Sequence, residues 1–149
     1  MKKFDYSKGT AFLKNSFVPF SEANVSIAGS SFLYGLTIYT VLAVNFDVTT
    51  KKRSIFRLKD HFERLVASAK IMDFQPFLKE WNLNKFEKMI IGLVEKNNIN
   101  ENALIRVSVF IDALIAGTKI RGLPNSLCAY IYPLGEILPR SGINVCVSS

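Results

Sequence analysis

The chain has 149 residues, 49% apolar, 12% aromatic and 21% charged; that length buries roughly 70% of the surface its unfolded form exposes, enough for one core and too little for two full domains. Ile, Leu, Val and Phe recur throughout, which excludes intrinsic disorder, low complexity and collagen-like repeats. Nineteen Lys and Arg against twelve Asp and Glu give a formal net charge of +7, but lysines alternate with acids, as in Lys79-Glu80 and Lys85-Phe86-Glu87-Lys88, which is a solvated surface, and no nucleic-acid partner is expected.

The start, Met1-Lys2-Lys3-Phe4-Asp5, leads into Tyr, Ser, Lys and Gly, and no apolar run approaches the ~18 residues of a membrane span, so a cytoplasmic protein with no membrane partner is expected. The first ten residues are polar and expected to fray. Phe12-Leu13 and Phe17-Val18-Pro19-Phe20 predict two short strands about the polar turn Lys14-Asn15-Ser16, with Pro19 near a sheet edge. Phe32-Leu33-Tyr34-Gly35 predicts a turn or helical piece closed by glycine. The β-branched run Thr37-Ile38-Tyr39-Thr40-Val41-Leu42-Ala43-Val44 predicts a central strand buried on both faces. Residues 45–53 make a polar connection, with Lys51-Lys52-Arg53 in a hairpin turn, to a short strand Ser54-Ile55-Phe56-Arg57.

There the period changes. Phe62, Leu65, Val66, Ala69 and Met72 share one face of a helix over about 58–73. Phe86, Met89, Ile90, Leu93 and Val94 stripe a second helix, with Asn84 placed as its N-cap and Glu87 three residues later as a capping box. Strands follow at 103–112, 127–132 and 143–147, separated by loops rich in Gly, Pro and charge. Strands, two helices, then strands predict an α+β two-layer sandwich, a mostly antiparallel sheet covered on one face by two helices. Cys128 and Cys146 fall in the apolar strands as expected buried thiols, and with one His in the chain no metal site is expected.

Read from the residues alone, the chain offers no Walker-type loop, no G-x-S-x-G and no His pair. Arg57 has chemical meaning because it stands where a strand hands over to a helix, whose free N–H groups and dipole favour anions, and a guanidinium there adds bidentate phosphate binding. The ordinary alternative is a surface ion pair. His61 one turn later reads equally as a packed helix residue, and Arg64 as solvated.

The order of whole segments adds to this. Phe17-Val18-Pro19-Phe20-Ser21-Glu22-Ala23-Asn24-Val25-Ser26-Ile27, Phe32-Leu33-Tyr34-Gly35, Ile55-Phe56-Arg57-Leu58-Lys59-Asp60-His61-Phe62-Glu63-Arg64-Leu65 with Ser68-Ala69-Lys70, Ala103-Leu104-Ile105-Arg106 and Gly142-Ile143-Asn144-Val145-Cys146-Val147 together resemble the N-terminal domain of fold-type IV (class IV) pyridoxal-phosphate aminotransferases, in particular the branched-chain amino acid aminotransferases. The resemblance covers residues 11–149. It implies that Arg57 holds the phosphate of pyridoxal 5'-phosphate and that Tyr34 and Tyr39 line the substrate side-chain pocket. It gives His61 and Arg106 supporting roles. It places the loop at 113–122 near a neighbouring subunit's active site, hence a homodimer, and makes the substrates an amino acid, branched-chain or otherwise apolar, and a 2-oxo acid.

The chain departs from that family at three places. Its Phe-Glu-Gly-x-Arg becomes Tyr39-Thr40-Val41-Leu42-Ala43, a tyrosine usual beside Ile-Arg is Leu104, and the aromatic-rich pocket loop is Pro133-Leu134-Gly135-Glu136-Ile137. D-amino acid aminotransferase and aminodeoxychorismate lyase therefore stay open as readings on the same fold, with a non-catalytic anion-binding or interaction domain as the alternative of another class. No lysine of the chain matches the family's Schiff-base lysine, which lies beyond the strand matching Asn144 to Ser149. The resemblance thus predicts no catalytic residue within residues 1–149, a catalytic-lysine C-terminal domain outside them, and a chain inactive alone.

Overall fold

Lys14 and Asn15 both take left-handed backbone, φ 50° and 68°, and this mirror-image turn matches the twist of the strands it joins. It folds β1 (Thr10–Leu13) onto β2 (Ser16–Pro19), with Phe12 opposite Phe17. The computed structural model describes residues 5–115, 117–119, 121–134 and 146. After β2, a five-residue helix α1 (Ser30–Tyr34) ends on Gly35 at φ 66°, as its sequence predicts. β3 (Thr37–Phe46) turns through Asp47, whose carboxylate accepts from the Thr49 and Thr50 amides at 2.8 and 3.2 Å and from the Thr50 hydroxyl at 2.7 Å. The chain returns as β4 (Arg53–Ile55), then forms α2 (Leu58–Ile71), α3 (Gln75–Glu80), α4 (Leu83–Asn97), β5 (Ala103–Ile111) and β6 (Asn125–Pro133).

The strands form one sheet in the order β2-β1-β6-β5-β3-β4, every neighbouring pair antiparallel. Pro19 lies on the edge strand, where a missing N–H breaks no ladder. The expected α+β two-layer architecture is the one that forms. The core lies between one sheet face, with Phe12, Ile38, Leu42, Val44, Ile105, Val107, Val109, Leu127, Ala129 and Ile131, and the predicted apolar stripes of α2 and α4. Rings close it: Phe12 meets Trp81 edge-on at 5.9 Å and Phe62 meets Phe86 at 5.0 Å.

Several expectations are corrected. A third helix, α3, packs with the other two, because Phe74, Phe77 and Trp81 are buried around a segment too short to show a period; the Asn125 side chain of β6 fixes it by accepting from the Phe77 amide at 2.9 Å. α4 begins two residues early. Asn82, not Asn84, is its N-cap, extended at φ −127° and accepting from the Lys85 amide at 2.9 Å. β3 is buried on one face only, since the three packed helices share the same side of the sheet. The strand expected to reach Arg57 stops at Ile55, because Arg57 is itself left-handed. Cys146 is exposed, whereas Cys128 is half-buried and burial pushes its thiol up. The strand expected over 143–147 and the loop over 135–142 lie outside the described residues, apart from Cys146.

The buried Asn97 side chain ties α4 to β1: Oδ1 accepts from the Thr10 amide at 2.8 Å, and Nδ2 donates to the Thr10 and Leu93 carbonyls at 2.9 and 2.7 Å. Removing it strands both backbone groups of Thr10. Asn97→Ala is expected to lower the unfolding free energy by about 2 kcal/mol, read as a reduced urea midpoint at unchanged slope.

Candidate anion cleft at the start of helix α2

Arg57 occupies the N-cap position of α2 in a left-handed conformation, φ 50° and ψ 41°. A non-glycine residue held there costs about 1 kcal/mol or more, and the return is geometric: the backbone reverses between β4 and α2, and the Arg57 carbonyl accepts from the His61 amide at 3.1 Å. The side chain is 65% exposed and paired with Asp60. Phe56, Arg57, Asp60, His61 and Arg64 line a shallow, solvent-open cleft of about 310 Å³. Two guanidinium groups against one carboxylate, at the positive end of a helix of fourteen residues, give it a positive balance.

β3 supplies the floor. Thr40 is fully buried, and its Oγ1 lies 2.6 Å from Arg64 Nη2 and 2.9 Å from His61 Nδ1. Arg64 Nη2 also stands 3.3 Å from His61 Nδ1. Burial holds the His61 imidazole below its ordinary pKa of 6.5, with the Arg64 and Arg57 charges acting the same way and Asp60 opposing them.

The two tyrosines lie elsewhere. Successive residues of a strand point to opposite faces, so Tyr39 stands 53% exposed on the face away from the helices while Thr40 faces them. The Arg106 guanidinium stacks over the Tyr39 ring at 4.0 Å, a cation–π contact that the sequence signals only through an arginine and a tyrosine on strands yet to be put in register. Val41 is directly opposite Arg106, and Ala43 opposite Leu104, on that same face. Tyr34, at the end of α1, is exposed as well. Neither tyrosine lines the Arg57 cleft, but β4 pairs with β3 only at Val44, Asn45 and Phe46. Among the described residues no strand pairs with the rest of that β3 edge, where the Phe56 amide donates to the Ala43 carbonyl at 3.0 Å.

No family model matches the chain. It is 28% identical over 145 residues to a probable branched-chain-amino-acid aminotransferase of Aquifex aeolicus, covering 97% of this chain and 46% of that protein. The branched-chain aminotransferase of Thermoproteus uzoniensis, solved with norvaline, shares the fold at a TM-score of 0.76 and 26% identity, over 87% of this chain and 42% of that one. The enzyme of Thermobaculum terrenum in its PLP form superposes at 0.77 with 17% identity, over 89% and 42%. The chain thus spans under half the length of the relatives it matches. Its fold is that of the N-terminal domain of fold-type IV aminotransferases.

A histidine with a lowered folded pKa binds fewer protons folded than unfolded, so its contribution to stability is complete above about pH 6.5 and is lost as pH falls through the folded value. Wild type is accordingly expected to lose stability relative to His61→Asn on acidification from about pH 7 to about pH 5, measured by parallel urea denaturation.

Proposed function

We propose that the chain forms the cofactor-phosphate side of a pyridoxal-phosphate-dependent aminotransferase acting on branched-chain or other apolar amino acids and a 2-oxo acid. The observation that carries the reading is Arg57, held left-handed so that its guanidinium borders an open cleft at the start of α2 with a second arginine and a histidine beside it. A phosphate ester fits that donor set. It matches a planar guanidinium bidentately, accepts from free helix N–H groups and is favoured by the dipole. Pyridoxal phosphate, when bound, supplies the electron sink for amino-group transfer.

The chain's own residues then anchor, orient and exclude water. Arg57 exchanges its exposed Asp60 partner for the phosphate. Tyr39, flattened under Arg106, with Val41, Ala43 and Leu104, offers an aliphatic and aromatic wall on the other face, and such a wall favours apolar side chains over charged ones. Tyr34 belongs to the same side of the reading. A lysine for the cofactor's aldehyde belongs to a further domain. Exposed Val25, Ile27, Phe32, Leu33, Leu114 and Ile115 support burial of this surface against a second copy, since apolar patches of this kind mark interfaces.

Two measurements test the reading. Arg57→Ala is expected to weaken binding of pyridoxal 5'-phosphate by roughly tenfold or more, the loss of one charge-assisted bidentate contact, while Asp60→Asn, which removes the competing carboxylate, tightens it; equal affinities across all three proteins in calorimetry would dismiss the cleft. The polypeptide carrying this domain is expected to transfer amino groups from branched-chain amino acids faster than from acidic or D-amino acids. Pyruvate release from aminodeoxychorismate in place of transfer would move the assignment to the lyase.

A further inference from the structure

We infer that Thr40 is a positioning residue: its hydroxyl donates to His61 Nδ1 while accepting from Arg64 Nη2, and so holds the imidazole as the neutral tautomer with its proton on Nε2. The inference deepens the anion-cleft reading and rests on it for its purpose, though not for its test.

The assignment follows from counting donors. Arg64 carries only N–H groups, so at 2.6 Å it donates to Thr40 Oγ1 and at 3.3 Å it offers a further donor toward His61 Nδ1. A proton on Nδ1 would face that guanidinium and make Thr40 Oγ1 accept twice, leaving the buried hydroxyl's own hydrogen without either of these two partners as its acceptor. A lone pair on Nδ1 satisfies everything. The Thr40 hydroxyl, fully buried, then donates its hydrogen across 2.9 Å to Nδ1, and both ends of the chain Arg64–Thr40–His61 are matched. Among the described residues, the charged groups acting on the ring are Arg57, Asp60 and Arg64, all from α2 and its cap, and β3 presents to it the uncharged Thr40.

The consequence concerns the other edge of the ring. With Nδ1 committed inward to Thr40, Nε2–H is the donor left on a ring that lines the cleft, and it is provided without a proton that moves with pH. A carboxylate at position 40 would do the opposite, accepting from Nδ1–H and stabilising an imidazolium. Threonine there makes His61 a fixed hydrogen-bond donor and leaves the positive charge of the cleft to the two arginines.

Because the chain has a single histidine, its ring nitrogens are read directly from two-bond nitrogen–proton correlation spectra of the isotope-labelled protein. Wild type and Thr40→Ser are expected to show an unprotonated Nδ1 and a protonated Nε2 at neutral pH. Thr40→Val, and Thr40→Ala as a less bulky second variant, are expected to shift the ring toward a mixture of the two tautomers. Arg64→Met is expected to raise the His61 titration midpoint. A wild-type ring protonated on Nδ1, hydroxyl-free variants that fold with unchanged nitrogen shifts, or a midpoint unmoved in Arg64→Met would overturn the inference. Titration with inorganic phosphate separates it from the functional reading: a locked tautomer with Nε2 indifferent to phosphate upholds the role of Thr40 and overturns the anion cleft.

Discussion

A β-strand sends consecutive side chains to opposite faces, and in this protein the helices that enclose the core, α2, α3 and α4, cover one face of the sheet. That constraint organises everything else. On the covered face, Thr40 cannot leave its hydroxyl unmatched, and it finds Arg64 and His61 one helix layer above. On the other face, one residue earlier in the chain, Tyr39 meets Arg106 and solvent. The two halves of the candidate site are therefore built from neighbouring residues of β3 that face opposite sides of the sheet.

The same division explains how a strongly apolar chain keeps polar chemistry near its core. Aromatic rings of α2, α3 and α4 close over the sheet, and polar groups enter that layer where each finds its partner: Asn97 against Thr10, Thr40 against His61 and Arg64. Buried polar groups so matched specify the docking of one element on another. Arg57 differs, since it lies at the boundary, strained in backbone and exposed in side chain. A residue kept in an unfavourable conformation while its charge stays accessible is a feature expected of a ligand contact.

Much of the fold was legible in the residues. Phe62, Leu65 and Ala69, and Phe86, Met89, Ile90, Leu93 and Val94, recur at helical spacing and are the buried stripes of α2 and α4. Lys14-Asn15 between apolar pairs is a tight hairpin turn, and Gly35 is a left-handed helix stop. What escaped was whatever depended on distant partners. α3 has six residues and no period, and it is held by Asn125, 48 positions away from the amide it accepts from. The true N-cap of α4 differs from Asn84 by two residues, a choice between asparagines made by the extended backbone at Asn82.

For the site, local sequence was enough to single out Arg57 as a guanidinium at a strand-to-helix junction, and family resemblance attached a phosphate to it. It was not enough to say which groups would surround it. The contacts of Thr40 with His61 and Arg64 span 21 and 24 positions, and Tyr39 meets Arg106 only after β3 and β5 pair in register. Sequence by itself determined the apolar periods, the turns and the residue types available, because these follow from local backbone preference and side-chain spacing. Tertiary structure alone decided which face of β3 each residue occupies and which hydrogen-bond donor meets which acceptor, because those depend on where the helices come to rest on the sheet.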